Sequence, residues 1–326
     1  MNTKRLNQAV KTDDTAQIEF GSTKDTPRSI FKVVPAREQS EGVGARVRRS
    51  IGGSSTISNF TPFLMLDHFK VSPDAGFPDH PHRGQETITY MIKGHVDHED
   101  FTGSSGTLGP GDLQFMTAGK GIVHAEMPRI DKAVDGNIKH VEGLQLWVDL
   151  PQKLKMCKPR YRDLRAVEIP IVKPDDKVTI KVISGESYGV DSIKNLAYTP
   201  VWFLDCTIAP GGMVDQTLPE KFNAFVYVLE GEVTVLNRKV KAHHTVFLNT
   251  DGDRVNVCVK DNAGTQARVA IIAGEPLTQP IVQRGPFVET SAKRVTKAFD
   301  DYVSGTNGFE RAVGWESRIG KRIKSR

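Results

Sequence analysis

The feature that most constrains the fold of this chain is its rhythm. From Phe31 onward, short runs rich in Val, Ile, Phe and Tyr are broken by Gly, Pro or Asp every eight to twelve residues, the punctuation of an all-β sandwich or barrel. Thr87–Ile92, Leu113–Met116, Leu144–Val148, Val178–Ile183 and Phe225–Leu229 are such runs. Helical periodicity is missing until Val295, Ala298, Phe299 and Tyr302 fall at i, i+3, i+4 and i+7, with Thr290 or Ser291 placed to cap the start and Gly305 to stop the end. One C-terminal helix is expected. No apolar run approaches the ~20 residues needed to cross a bilayer. Three cysteines (Cys157, Cys206 and Cys258), without a Cys-x-x-Cys pair, argue against a disulfide scaffold and a cysteine zinc site.

The strand pattern repeats. Ile88–Val96 aligns with Phe225–Val233, sharing Tyr, Gly and Val in register, and each is followed by a Gly-Asp step, Gly111-Asp112 and Gly252-Asp253. A duplicated β-sandwich follows. Residues 1–30 are polar and carry both signs, and they read as a flexible extension. They show no secretory signal, and Asp13, Asp14, Glu19 and Asp25 interrupt the basic face of a mitochondrial presequence. Residues 31–168 form the first module, 169–177 a Pro- and charge-rich linker, and 178–326 the second module ending in the helix.

The chemistry gathers in the first half. His80-Pro81-His82 is held extended by its proline, and in extended backbone residues i and i+2 point to one side. His124-Ala125-Glu126 repeats this geometry with an imidazole and a carboxylate. A lone His-x-His is commonly a solvated pair, but two such pairs separated by a short β-rich segment make a ligand set for Fe, Mn, Co, Ni, Cu or Zn. His95 and His98 are rival ligands. Sliding Ile88 onto Phe225 places Thr217 and Pro219 where His80 and His82 stand, and His243-His244 point to opposite faces of a strand. No metal is expected in the second half.

These residues resemble a known family. Gly76–Gly84, His98–Phe101, Pro110–Pro128, Gly143–Val148, Ile272–Leu277, Gly285–Val288 and Asn307–Ala312 are similar to pirins, with Arg37–Gly52 matching the eukaryotic, nuclear kind. The likeness runs from Arg37 to Gly320. The N-terminal extension and the longer polar loop Arg129–His140 depart from it. The resemblance implies a bicupin of two jelly-roll barrels in tandem, with one mononuclear iron, Fe(II) or Fe(III), on His80, His82, His124 and Glu126. The glutamate that other cupins use after His-x-His would be Glu86; in pirins the position of Glu126 takes that role. It also implies one of two functions. One is a quercetin 2,3-dioxygenase-like enzyme, with a flavonol-like substrate and O2; in that case the chemistry of a carboxylate beside a metal makes Glu126 the expected catalytic base. The other is a non-catalytic, redox-dependent nuclear co-regulator that binds transcription factors in an NF-κB/Bcl-3 context.

Net charge is +5, which by itself is a weak pointer to nucleic acid. Arg46, Arg48 and Arg49 are read either as the basic solvent face of a strand or as a partner surface. The tail Arg318–Arg326 carries five basic and no acidic residues, reading as a solvated end or a weak import or phosphate contact. No direct sequence-specific nucleic-acid binding and no membrane association are expected; a monomer of the nucleus and cytoplasm is.

Overall fold

The computed structural model describes residues 25–53, 57–129, 140–193 and 196–321. The expected all-β duplication is present. Each half pairs a seven-stranded antiparallel sheet with a four-stranded one. In the first half the large sheet runs, edge to edge, Arg160–Leu164, Leu113–Thr117, Gln85–Lys93, Val141–Asp149, Phe63–Val71, Ala45–Ile51 and Arg37–Glu41, and the small sheet runs Phe77–His82, Ile122–Arg129, His95–Asp100 and Ser105–Leu108. The two large sheets pack against each other through a shared core that includes Leu66, Ile88, Tyr90 and Leu146 of the first and Phe203, Phe225, Tyr227 and Phe247 of the second.

Because both faces of the first large sheet are covered, strand alternation sorts function rather than polarity. In Gln85–Lys93, Ile88 and Tyr90 face the second module, whereas Thr89 faces a cavity inside the first barrel and Met91 packs within that barrel. In Val141–Asp149, Leu144, Leu146 and Val148 face the second module, while Gln145 and Trp147 line the cavity. The barrel of the second module is filled instead by a core of its own that includes Val214, Val226, Val255 and Val257.

Three segments lie elsewhere than the domain boundaries drawn from the sequence place them. Ile30–Pro35 pairs with His244–Leu248 and so forms the edge of the second module's sheet. Just before it, Arg28 is fully buried and donates to the carbonyls of Gly252, Phe222, Pro219 and Glu220; residues 25–30 are therefore anchored structure, while 1–24 lie outside the described residues. Within 169–177, Ile171–Val172 supplies a strand paired to Val178–Ser184. The helix, Ala292–Ser304, starts at Ser291, whose Oγ accepts from the Arg294 amide, and stops at Gly305 with φ 63°, as its caps predict. It packs on the first module: with Phe287 and Phe309, Ala298 shares a core with Met116, Ile122 and Val123.

Candidate metal centre

His80 and His82 lie on the edge strand Phe77–His82, where Pro78 and Pro81 break no interior ladder. Its neighbour Ile122–Arg129 sets His124 directly opposite His80. The three imidazoles thereby converge, with potential ligand atoms all within 4.8 Å of one another. The Nε2 atoms of His80 and His124 are 3.0 Å apart, within hydrogen-bond reach of each other and close enough for both to serve one ion. A register shift between His124 and Glu126 is the kind of bulge that re-aims a side chain beside a site. Glu126 lines the same cavity, with Oε2 3.9 Å from His124 Nε2 and Oε1 accepting from Thr89 Oγ1 at 3.2 Å. It sits next to the three-imidazole group rather than inside it.

The protonation states suit a metal. Burial and the neighbouring His80 push the His82 imidazole well below its usual range, and burial with His80, His82 and His98 does the same for His124. Burial pushes the Glu126 carboxyl up, opposed by His80 and His98. The Nε2 atom of His82 is buried with no hydrogen-bond partner, a costly state unless something else meets it. His80 Nδ1 donates to the Pro78 carbonyl at 2.8 Å, which leaves its Nε2 lone pair free. The Gln85 amide lies 2.7 Å from His82 Nδ1; with its oxygen turned to the ring, since amide ends exchange by a half-turn, it accepts that N–H and frees His82 Nε2. The residues present fit a first-row metal.

Behind this centre lies a cavity of about 830 Å³, walled by Met65, Phe69, Phe77 and Trp147 and reached by Arg49, Asp67 and Gln145. Trp147 meets the His82 ring edge-on, with centroids 5.0 Å apart. The Gln145 amide lies 2.6 Å from Thr89 Oγ1; with its NH2 end turned to that oxygen it donates, leaves the one hydroxyl proton for Glu126, and ties the cavity's polar rim to the residue that holds Glu126. Neither Gln85 nor Trp147 carries a sequence signal of its role; only the strand register reveals it.

Other predicted residues fall elsewhere. Glu86 points out of the barrel, accepting from Thr117 Oγ1 at 2.6 Å and from the amides of Tyr198 and Thr199. It fastens the chain that leads into the second module and is not available to a metal. His98 is buried against Tyr161, with centroids 5.9 Å apart, and among the described residues neither it nor His95 joins the cluster. His243 has a left-handed backbone, φ 63°, and its ring lies against His68. Arg46 and Arg48 share an outer face and both pair with Glu38, at 2.7 and 3.0 Å. Arg49, adjacent on the strand, turns to the opposite face and grips Asp67 with Nε and Nη2, at 2.8 and 2.6 Å. The three arginines therefore do not form one surface. Arg318 pairs with Glu99 at 3.2 Å, and the tail from 322 on lies outside the described residues.

Comparison with known proteins agrees with this geometry. Residues 44–148 match the Pirin family model and 203–308 the Pirin C-terminal cupin domain. The chain is 45% identical to human Pirin over 307 residues, covering 92% of this chain and all of that protein. It is equally identical to a tomato pirin-like protein over 304 residues, with the same coverage. A quercetin 2,3-dioxygenase from Acinetobacter baumannii is 27% identical, with a TM-score of 0.75 over 86% of this chain and 98% of that one. A bacterial pirin from Escherichia coli, solved in complex with nickel(II), shares the fold at 17% identity and a TM-score of 0.59, over 76% of this chain and 99% of that one. With two cupin modules, three converging imidazoles in the first and both family models matched along its length, the chain belongs to the pirin family.

Proposed function

We propose that this protein is a metal-dependent oxygenase that opens a flavonol-type ring with dioxygen, holding one iron on His80, His82, His124 and Glu126. The observation that carries this reading is a three-imidazole group, two of whose rings, His80 and His82, line an 830 Å³ cavity together with Glu126, a volume that suits a drug-sized aromatic molecule. The likeness to a quercetin 2,3-dioxygenase supports it. A bound first-row metal supplies Lewis acidity to an enolic hydroxyl and redox capacity toward dioxygen. The chain's own residues do the rest. Phe69, Phe77 and Trp147 present apolar walls that exclude water from a planar ring. Glu126, its carboxyl raised by burial and steadied by Thr89, is placed to take the hydroxyl proton of a substrate in the cavity.

The adaptor reading uses the same four ligands with Arg46 and Arg48 as the contact face. That face shows only exposed pairs of Arg46 and Arg48 with Glu38, whereas the cavity beside the imidazoles offers room for a substrate, so the oxygenase reading is the better supported. Aerobic incubation of iron-loaded protein with quercetin is expected to consume the flavonol and release carbon monoxide. His82→Ala is expected to lose both metal and turnover. A fully loaded wild-type protein that leaves quercetin intact would overturn the oxygenase reading.

A further inference from the structure

Two of the three imidazoles have their outer nitrogen spoken for: His80 Nδ1 by the Pro78 carbonyl and His82 Nδ1 by the Gln85 amide. The third does not. His124 Nδ1 is buried and has no hydrogen-bond partner. On the strand His95–Asp100 the residue directly opposite His124 is Asp100, and directly opposed residues present their side chains on one face with Cβ atoms ~5 Å apart. Asp100 is 1% exposed. Its Oδ1 is saturated, accepting from the Thr102 amide and hydroxyl at 2.7 Å each and from the Ser104 amide at 3.0 Å. Its Oδ2 is buried and unpartnered. A buried ring nitrogen without a partner thus lies opposite a buried carboxylate oxygen without one, and leaving either unmet is costly.

We propose that Asp100 is a positioning residue for the metal centre: its Oδ2 accepts the Nδ1–H of His124, directly or through one buried water, and thereby presents His124 Nε2 to the metal. This rests on the metal reading above. The carboxylate–histidine–metal arrangement fixes the ring's tautomer and orientation and raises its basicity as a ligand. The Tyr161 hydroxyl is a rival donor for the same Asp100 oxygen, its pKa pushed well above the usual range by burial, by the Asp100 charge and by its approach to that carboxylate, but neither atom is within strict hydrogen-bond geometry of a partner. Asp163, the other carboxylate nearby, lies 3.7 Å from His98 on the strand Arg160–Leu164 and pairs in register with Gln114, not with a ligand strand.

Two roles of Asp100 can be separated because its two oxygens do different things. Asp100→Asn keeps Oδ1 as the acceptor for the turn at Thr102–Ser104 and replaces Oδ2 with an amide that cannot accept. Zn(II) affinity, measured by competition with a chromophoric chelator, is expected to fall 10- to 100-fold in Asp100→Asn. The thermal midpoint of the metal-free protein should stay close to wild type, and Asp163→Asn should bind Zn(II) as wild type does. Unchanged Zn(II) affinity in Asp100→Asn overturns the proposal while leaving the metal centre standing; a wild-type protein that binds no metal overturns both. In zinc-loaded wild-type protein with 15N-labelled histidine, the His124 Nδ1 proton is expected to be protected and shifted downfield. A resonance lost to solvent exchange refutes the proposal even if the variant does not fold.

Discussion

His80 and His82 are adjacent on one face because an X-Pro-X segment is extended, and that local rule brings two imidazoles together without help from the rest of the chain. Glu126 is different, since its placement needs the shift in register after His124 and a hydroxyl from another sheet. This makes it the residue at which charge and shape can be tested apart. Glu126→Gln keeps an oxygen donor and nearly the same volume while removing the base. It is expected to retain part of its metal and lose about 10²–10⁴ in turnover, read as kcat per bound metal. Undiminished turnover per metal would assign proton removal to solvent. Glu86 shows the limit of reading residues singly. It has the right type and follows His-x-His, yet the strand's alternation turns it toward Tyr198 and Thr199.

At the scale of elements, the C-terminal helix acts on a module to which it is not adjacent in sequence. Arg83, the residue after His82, is buried beneath it and donates to Asp301 at 2.7 Å, with its guanidinium 4.7 Å above the Phe309 ring. Gly84 follows with φ 78°, and a Cβ there would meet the Val288 carbonyl oxygen at 2.0 Å, so the chain beyond the histidines closes tightly on the C-terminal hairpin. Burial alone would raise the Asp301 carboxyl, but hydrogen bonds from Asn307, Arg83 and Lys297 hold it at about 2. An unfolded aspartate titrates near ~3.9. A carboxyl lowered in the folded state contributes stability that is complete above that value and is lost as pH falls through about 2. Asp301→Asn is therefore expected to cost on the order of 3 kcal/mol at neutral pH, as removal of one partner from a buried pair does, and to flatten acid denaturation between pH ~4 and ~2. Chemical denaturation at stepped pH checks both; a variant with the wild-type acid slope would show that Asp301 does not carry it.

At the scale of the whole molecule, two sandwiches share one core. Tyr90 donates to Asp205 at 2.6 Å across the seam, and Asp205 is gripped by Arg268 at 2.8 and 2.7 Å. His68 meets Tyr227 at 3.0 Å. The second sheet takes its edge strand from residues ahead of the first module, and the first module takes its cover from residues behind the second. Neither half can open without exposing the other's apolar face. Calorimetry is expected to show a single transition with calorimetric and van't Hoff enthalpies in agreement; two resolved transitions would show that the seam is a weak contact.

Local physics made much of this protein legible in its sequence. Strand rhythm, the repeat, the helix with both its caps, and the i, i+2 pairing of His80 with His82 and of His124 with Glu126 all depend on backbone rules that act within a few residues. The domain boundaries were not legible, because a strand's pairing partner is chosen by which sheet edge is open, and that edge can lie more than two hundred residues away. Nor was the orientation of Arg49 relative to Arg46 and Arg48, or the separation of Glu86 from Glu126, because a side chain's face on a strand acquires meaning only when both faces of its sheet are occupied. The sequence determined which chemical groups the centre can use; the tertiary structure alone decided which of them meet, since convergence of His80, His82 and His124 requires two strands to pair in one register out of several.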